Sequence, residues 1–437
     1  MTLSSILANF KIEALNSMQQ ETIDAFKTTK DLILISPTGS GKTLAFLLPI
    51  ISVLNSDRKD VQVIIIVPTR ELAQQIESVF KQMGTAFKIN CCYGGHSVQI
   101  ERNNLLEPPA VLVGTPGRIA HHIRKKTLNI ATANYLILDE FDKSLESGFK
   151  EEMLFIIKTI KHLNKRILTS ATILKEIPSF VGINESKELN FSEKSKEADG
   201  ILTLKSVRVK GDDKLEALML LIGVIGAQPT IVFCNHRDAV SRISEQLSRL
   251  NLGHGFYHGG LEQIDREKTL IKLRNGSINL LISTDLAARG LDIPEIKVVV
   301  HYQLPSTLDT MIHRNGRTAR MNASGTAYFL LDTNDYLPPF LEAIPEDEKL
   351  PEKFILPNPS QWKTLYISAG KKDKVNKMDI VGMLLQKGNL KKEELGKIEV
   401  LDHSAYVAIK SDKIVKTIQL IKDERIKNKK VKTEISS

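Results

Sequence analysis

Asp31–Thr43 reads DLILISPTGSGKT, and Leu44–Leu54 continues it as LAFLLPIISVL. Leu32, Ile33, Leu34 and Ile35 form an unbroken apolar run, the mark of a strand covered on both faces. A helical pattern begins after Lys42, and a tight loop with Gly39 and Gly41 lies between. Strand, glycine-rich loop and helix in that order are the context that gives a phosphate-binding loop its mechanism. Successive backbone N–H groups can wrap an anion, and the helix start adds positive dipole. The loop comprises Ser36, Thr38, Gly39, Ser40, Gly41, Lys42 and Thr43. Lys42 is expected to reach the terminal phosphates of a nucleotide and Thr43 to hold Mg2+ through its hydroxyl. Ser36 stands where this motif usually has Gly or Ala, and a small residue still allows the turn.

Around that stretch, composition limits what the chain can be. A length of 437 residues predicts about three domains. Apolar content of 42% and charged content of 25% describe ordinary globular domains. The longest apolar run, near Ala217–Ala227, is shorter than the ~20 residues of a membrane span. The N-terminal MTLSSILANFK has no basic flank ahead of an apolar core, so no signal peptide is expected and the cytoplasm is the expected compartment. Cys91, Cys92 and Cys234 cannot form a disulfide framework and read as small core residues. The net charge of +9 is unevenly placed: Trp362–Ser437 holds 18 Lys and Arg against 10 Asp and Glu. A polyanion-binding tail on a near-neutral engine follows.

Upstream of the loop, Gln19 carries an amide able to pair with the donor and acceptor of an adenine edge. Downstream, VQVIIIVPTRELAQQ (Val61–Gln75), CCYGGHSVQ (Cys91–Gln99) and AVLVGTPGRI (Ala110–Ile119) each read as a strand ending in small or polar residues, where open α/β sheets bind ligands. NYLILDEFDKS (Asn134–Ser144) ends an apolar strand in Asp139 and Glu140. Adjacent carboxylates at a strand tip are costly unless a cation or hydrogen-bond partners offset them, and with a P-loop in the same domain the acidic partner of Mg2+ is the expected occupant. Asp139 is therefore assigned to the metal, through water, and Glu140 to orienting and deprotonating the attacking water. RILTSAT (Arg166–Thr172) is a further strand ending in hydroxyls.

FSEKSKEADG (Phe191–Gly200) is polar and reads as an interdomain linker. Beyond it, strands at Thr230–Asn235, His254–Gly260, Ile278–Asp285, Lys297–Pro305 and Gly325–Leu331 alternate with helices as a second parallel layer without its own P-loop. HRNGRTAR (His313–Arg320) places Arg317 and Arg320 three apart, on one face if the segment is helical. Two guanidiniums there call for a phosphate or carboxylate partner, and with the P-loop in the other lobe they are expected to be fingers that complete the γ-phosphate site. Ala319 costs little if the segment is a helix.

Gln19, SPTGSGKT, PTRELAQ, Gly94-Gly95, TPGR, DEFD and SAT occur in the order and spacing of the DEAD-box RNA helicases, and the chain resembles that family over both lobes. Phe141 stands where the family has Ala, which is expected to alter its pocket or the coupling of Asp142 to SAT. Asn315 and Ala319 replace a branched apolar residue and Gly. The resemblance implies an RNA-dependent ATPase with ATP and Mg2+ as cofactors and two tandem RecA-like parallel-sheet lobes. It implies backbone and sugar contacts to RNA from Pro68, Thr69, Arg70, Gly95, Thr115, Gly117, Arg118, Arg266 and Thr284, with Asp292 near the ribose. An ATP-gated RNA clamp that does not separate strands, and a DNA translocase, are the alternatives.

Six of the sixteen prolines fall between Leu337 and Ser360, which reads as an extended connector, not a core. The rest follows the order β-α-β-β-α-β of RNA-recognition folds, with Tyr366 and Tyr406 at stacking positions. This tail resembles the C-terminal domain of bacterial DbpA-type helicases, which implies a 23S ribosomal RNA hairpin as target and a role in large-subunit assembly. The expected fold class is α/β with a small α+β tail: lobe 1–190, linker 191–200, lobe 201–336, connector 337–361 and an RRM-like domain 362–437. The chain is expected to act as a monomer without a membrane.

Overall fold

Asp31–Ile35 is a strand buried at every position, with a parallel neighbour on each side. Its apolar run is unbroken because both faces are covered: Leu32 and Leu34 join one core cluster with Phe26, Phe46 and Ile76, while Ile33 and Ile35 join another with Ile119 and Met153. The computed structural model describes the chain except residues 1, 38, 96, 175, 184, 193–201, 210–213, 289–292, 294, 320–323, 333, 334, 336, 342, 343, 428 and 437. Most of the expected linker therefore lies outside the described residues.

The first unit is built on β1 (Asp31–Ile35), β2 (Val63–Ile66), β3 (Ile89–Cys92), β4 (Val111–Gly114), β5 (Tyr135–Leu138), β6 (Lys165–Ser170) and β7 (Ser186–Asn190). Their order across the parallel sheet is β3-β4-β2-β5-β6-β1-β7. The second unit carries β8 (Leu202–Arg208), β9 (Thr230–Phe233), β10 (Gly255–Tyr257), β11 (Leu280–Ser283), β12 (Val298–His301), β13 (Gly325–Leu331) and β14 (Glu346–Asp347), in the order β10-β11-β9-β12-β13-β8-β14 and again parallel.

The proline-rich connector does more than extend. Between Pro345 and Pro351 its β14 adds an edge to β8, where a strand can sit beside prolines without breaking a central ladder. Leu350 and Phe354 then pack on the second lobe's core.

The tail belongs to the same compact unit as the second lobe. It runs β15 (Trp362–Ile367), helix Lys377–Gln386, β16 (Leu395–Val400), β17 (Ala405–Lys410), helix Ile414–Ile421, β18 (Arg425–Ile426), β19 (Lys429–Lys430) and β20 (Thr433–Ile435). The expected β-α-β-β-α-β order is present, with a small β18–β19 hairpin inserted before the last strand. The antiparallel sheet order is β16-β17-β15-β20. Leu365, Ile367, Val407 and Ile409 point to the helices and form the core with Ile380, Leu384 and Ile421. Thr364, on the opposite face, is held by the second lobe: it accepts from Asn275 Nδ2 at 2.9 Å and donates to Ser277 Oγ at 2.8 Å. Beside it, Arg274 grips Glu399 with a two-pronged fork of 2.9 and 2.7 Å. Among the described residues no helix is long and apolar enough to cross a membrane.

Candidate active site and nucleic-acid interface

Every strand of the first sheet runs the same way, so the loops after β1 to β6 emerge at one edge. The strand order divides that edge. The loops after β1, β6 and β5 carry the P-loop, SAT and the acidic pair. Those after β2, β4 and β3 carry PTR, TPGR and the glycine pair.

In the P-loop, Gly39 and Gly41 adopt φ of 84° and 93°, conformations that glycine alone enters without strain. A Cβ on Gly41 would also fall 2.6 Å from Gln19 Nε2. Lys42 is folded back, donating to Ser36 O at 2.5 Å and Pro37 O at 2.8 Å. Ser36, the departure at the first motif position, is used: its hydroxyl donates to Ser40 Oγ at 2.7 Å. Thr43 is half-buried in the first turn of helix Lys42–Val53. Gln19 is buried, and each end of its amide makes one hydrogen bond. Its Oε1 accepts from Asn16 N–H in a capping box, and its Nε2 donates to Gly41 O at 3.4 Å. Thr38 lies outside the described residues.

At the tip of β5, Asp139 is buried, and desolvation pushes its carboxyl above the usual carboxylate range. A hydrogen bond from Thr169 and the charge of Lys42 oppose that shift. Glu140 follows in the left-handed region at φ 47° and ψ 51° and opens helix Phe141–Glu146. For a non-glycine residue that conformation costs about 1 kcal/mol and must be held by its surroundings. Phe141 is completely buried in the core cluster of Leu138, Ile156 and Leu168. The larger side chain is therefore absorbed by packing. Asp142 faces Lys143 Nζ at 3.5 Å within the same helix.

On the other half of the edge, Pro68 is buried and Thr69 caps helix Arg70–Gln82, accepting from Leu72 N–H. The guanidinium of Arg70 lies against Gly94: a Cβ there would sit 3.2 Å from Nη2. Gly95 is exposed, with φ 94°. Thr115 and Gly117 bracket the start of helix Pro116–Arg124, and a Cβ on Gly117 would meet open space. Sequence reasoning missed what holds Arg118. Its Nε donates to Tyr93 O at 3.2 Å and pairs with Glu101 at 3.2 Å. Glu101 accepts from Tyr93 N–H and shares a 2.8 Å hydrogen bond with the buried His122. Glu101 and His122 lie far apart along the chain, and nothing local marks them as partners.

In the second unit, the helical condition under which Arg317 and Arg320 would share a face is not met at Arg317. Helix Leu308–Asn315 stops first, Arg317 sits buried in the turn that follows, and Ala319 has φ 52°. The expectation that Ala319 costs little assumed a helix; in a left-handed position an alanine is strained. Ala319→Gly is accordingly expected to stabilise this unit by about 1 kcal/mol. A higher midpoint in a urea melt of the full chain would show it, and a lower one would contradict it. Arg320 and Asp292 lie outside the described residues.

Arg314, which sequence reasoning passed over, is the buried anchor of this turn. It forks onto Asp285 at 2.5 and 3.1 Å and donates to Gln303 O and Asn235 Oδ1 at 2.8 and 2.7 Å. The departure Asn315 has its own partner: its Oδ1 and His301 Nε2 are 2.9 Å apart. Burial and the charge of Arg314 push the His301 imidazole down to about 3, so it stays neutral and donates to Asn315. Arg266 is buried and braces its own loop, donating to Gly259 O at 2.7 Å and Leu261 O at 3.2 Å. Thr284 follows β11, its N–H donating to Tyr257 O. In the tail, Tyr366 and Tyr406 are direct cross-strand partners with rings edge to face at 5.5 Å. They are not equivalent: Tyr366 is half-buried, while Tyr406 is only 4% exposed.

Known proteins repeat this arrangement. Residues 16–180 match the DEAD/DEAH box helicase family, 213–322 the helicase conserved C-terminal domain and 364–435 the DbpA RNA binding domain. The chain is 30% identical to the ATP-dependent RNA helicase DbpA of Bacillus subtilis over 95% of its own length and 93% of that protein. It is 29% identical to the Escherichia coli DbpA helicase over 94% and 92%. Among solved structures, S. cerevisiae Dbp5 bound to RNA and ADP BeF3 superposes with a TM-score of 0.68 at 25% identity, covering 76% of this chain and 88% of that one. These similarities span both lobes and the tail, and the chain belongs to the DEAD-box RNA helicases, a family of RNA-dependent ATPases, as a member with a DbpA-type RNA-binding tail.

Proposed function

We propose that this helicase couples ATP hydrolysis to local opening of RNA duplexes in 23S ribosomal RNA during large-subunit assembly, acting as a cytoplasmic monomer. The observation that carries the reading is the divided edge of the first sheet. Phosphate-binding and acidic loops share one line of strand ends with loops suited to an RNA backbone.

On this reading, Lys42 leaves the carbonyls of Ser36 and Pro37 for the terminal phosphates. Ser36, Thr38, Gly39, Ser40 and Gly41 supply the cradle, Gln19 faces adenine and Asp292 lies near the ribose. The oxygen donors Thr43 and Asp139 suit Mg2+, which prefers hard ligands and keeps much of its water. Bound there, the ion would neutralise phosphate charge. Glu140 orients the attacking water and takes its proton. Arg317 and Arg320 stabilise charge on the transferred phosphoryl group, so that hydrolysis requires both lobes.

Pro68, Thr69, Arg70, Gly95, Thr115, Gly117, Arg118, Arg266 and Thr284 hold the RNA backbone and sugars. Tyr366 and Tyr406, side by side on one face of the tail's sheet, offer it a stacking surface, with Tyr366 the more exposed of the two. The ribosomal target is supported by the match of the tail to the DbpA RNA binding domain and by its eight surplus positive charges. ATPase activity measured side by side with ribosomal RNA, poly-RNA and DNA tests the reading, together with strand displacement on a short duplex. Stimulation should fall in that order, and DNA should be nearly inert. Equal stimulation by DNA would refute it, and ATPase without displacement would favour the clamp.

A further inference from the structure

Next to the acidic pair lies a hydroxyl that the mechanism above does not use. Strands β5 and β6 run parallel, with Leu138 opposite Leu168, so Asp139 emerges opposite Thr169. Thr169 is completely buried. Its Oγ1 donates to Asp139 Oδ1 and accepts from Glu140 N–H at 3.2 Å. A hydroxyl has one proton to give, so donating to the carboxylate and accepting from the amide fixes its rotor. Asp139 Oδ1 also receives Glu140 N–H at 3.2 Å. Oδ1 is thus turned into the protein, and Oδ2 has no donor among the described residues. The neighbouring Ser170 cannot substitute. Its hydroxyl is spent on its own segment, donating to Thr172 O at 2.6 Å and accepting from Thr172 N–H.

We propose that Thr169 is the positioning residue of the acidic pair: it holds Asp139 in the rotamer that offers Oδ2 to the water shell of Mg2+, and pins the Glu140 peptide in its left-handed turn. The inference rests on the assignment of Asp139 to Mg2+ made above. Two restraints on a single carboxylate and the peptide that follows it are the means by which a site is held to the fraction of an ångström that catalysis needs. One hydroxyl therefore sets both the metal-binding oxygen and the backbone that aims the general base.

The test is nucleotide affinity, not turnover. A fluorescent ATP analogue is titrated into the full chain in Mg2+ and in EDTA. The wild-type chain should bind more tightly in Mg2+; if it does not, the assignment of Asp139 fails before Thr169 is in question. Given that difference, Thr169→Val is expected to need at least tenfold more Mg2+ for half-maximal tightening, with EDTA affinity within about twofold of wild type. Thr169→Ser should behave as wild type. Thr169→Ala removes the hydroxyl without adding bulk and is read in the same way if the valine variant does not fold. Unchanged Mg2+ dependence in the hydroxyl-free variants would overturn the proposal. An equal loss of affinity in Mg2+ and EDTA would also overturn it, because it would mark Thr169 as packing only.

Discussion

Glu140→Gln leaves ATP binding at wild-type affinity and lowers RNA-stimulated turnover by at least tenfold, with a loss on the order of 10²-fold expected for removal of a general base. Glutamine keeps the size of the side chain and its ability to accept a hydrogen bond, but it cannot take a proton. The residue is buried at the tip of β5, in a strained left-handed conformation that Thr169 holds from below. Such strain persists where the surroundings over-determine it, and it concentrates at working sites. A fluorescent ATP analogue reports binding, and phosphate release under saturating RNA reports turnover. Turnover within a factor of two of wild type would remove Glu140 from the chemistry.

Arg317→Ala should cost more, on the order of 10³-fold in turnover, the scale at which arginine fingers act in other phosphoryl-transfer sites. Arg317→Lys should recover little of it, since an ammonium does not reproduce the planar fork. The turn that carries Arg317 is anchored independently by Arg314 on Asp285 and by Asn315 on His301. The second unit should therefore keep its fold in either variant, and an unchanged urea midpoint would document that. A near-normal rate in the alanine variant would show that the second lobe contributes no charge to the reaction.

Much of this was legible in the chain because the decisive signals are local. The run Leu32–Ile35, the glycines at 39 and 41 and the helix after Lys42 lie within a few residues of one another, and each implies the next. The acidic pair at the end of Leu136–Leu138 is equally self-contained. What escaped depended on distant partners or on edges. β7 and β14 are polar edge strands without the apolar run of an interior strand. The stop after Asn315 had a local cue in the Asn315-Gly316 pair, and Gly316 is the residue that caps the helix; Arg314 and the Ile296–Thr318 bridge then fix the turn through tertiary contacts. Thr169, Glu101 and His122 are ordinary residues whose roles exist only once the strands are side by side. Tyr366 and Tyr406 looked alike in sequence and differ in exposure.

Because the phosphate-binding loops and the loops suited to RNA share one edge of the first sheet, nucleotide and RNA are each expected to tighten the binding of the other, and equilibrium affinities test this most directly. The affinity of a non-hydrolysable ATP analogue is measured with and without single-stranded RNA, and the affinity for RNA with and without the analogue. Linkage requires both to change by the same factor, and coupling of the usual size predicts at least about fivefold tightening. Affinities that are independent in both directions would mean that the two halves of the edge do not work together, and the account would fail.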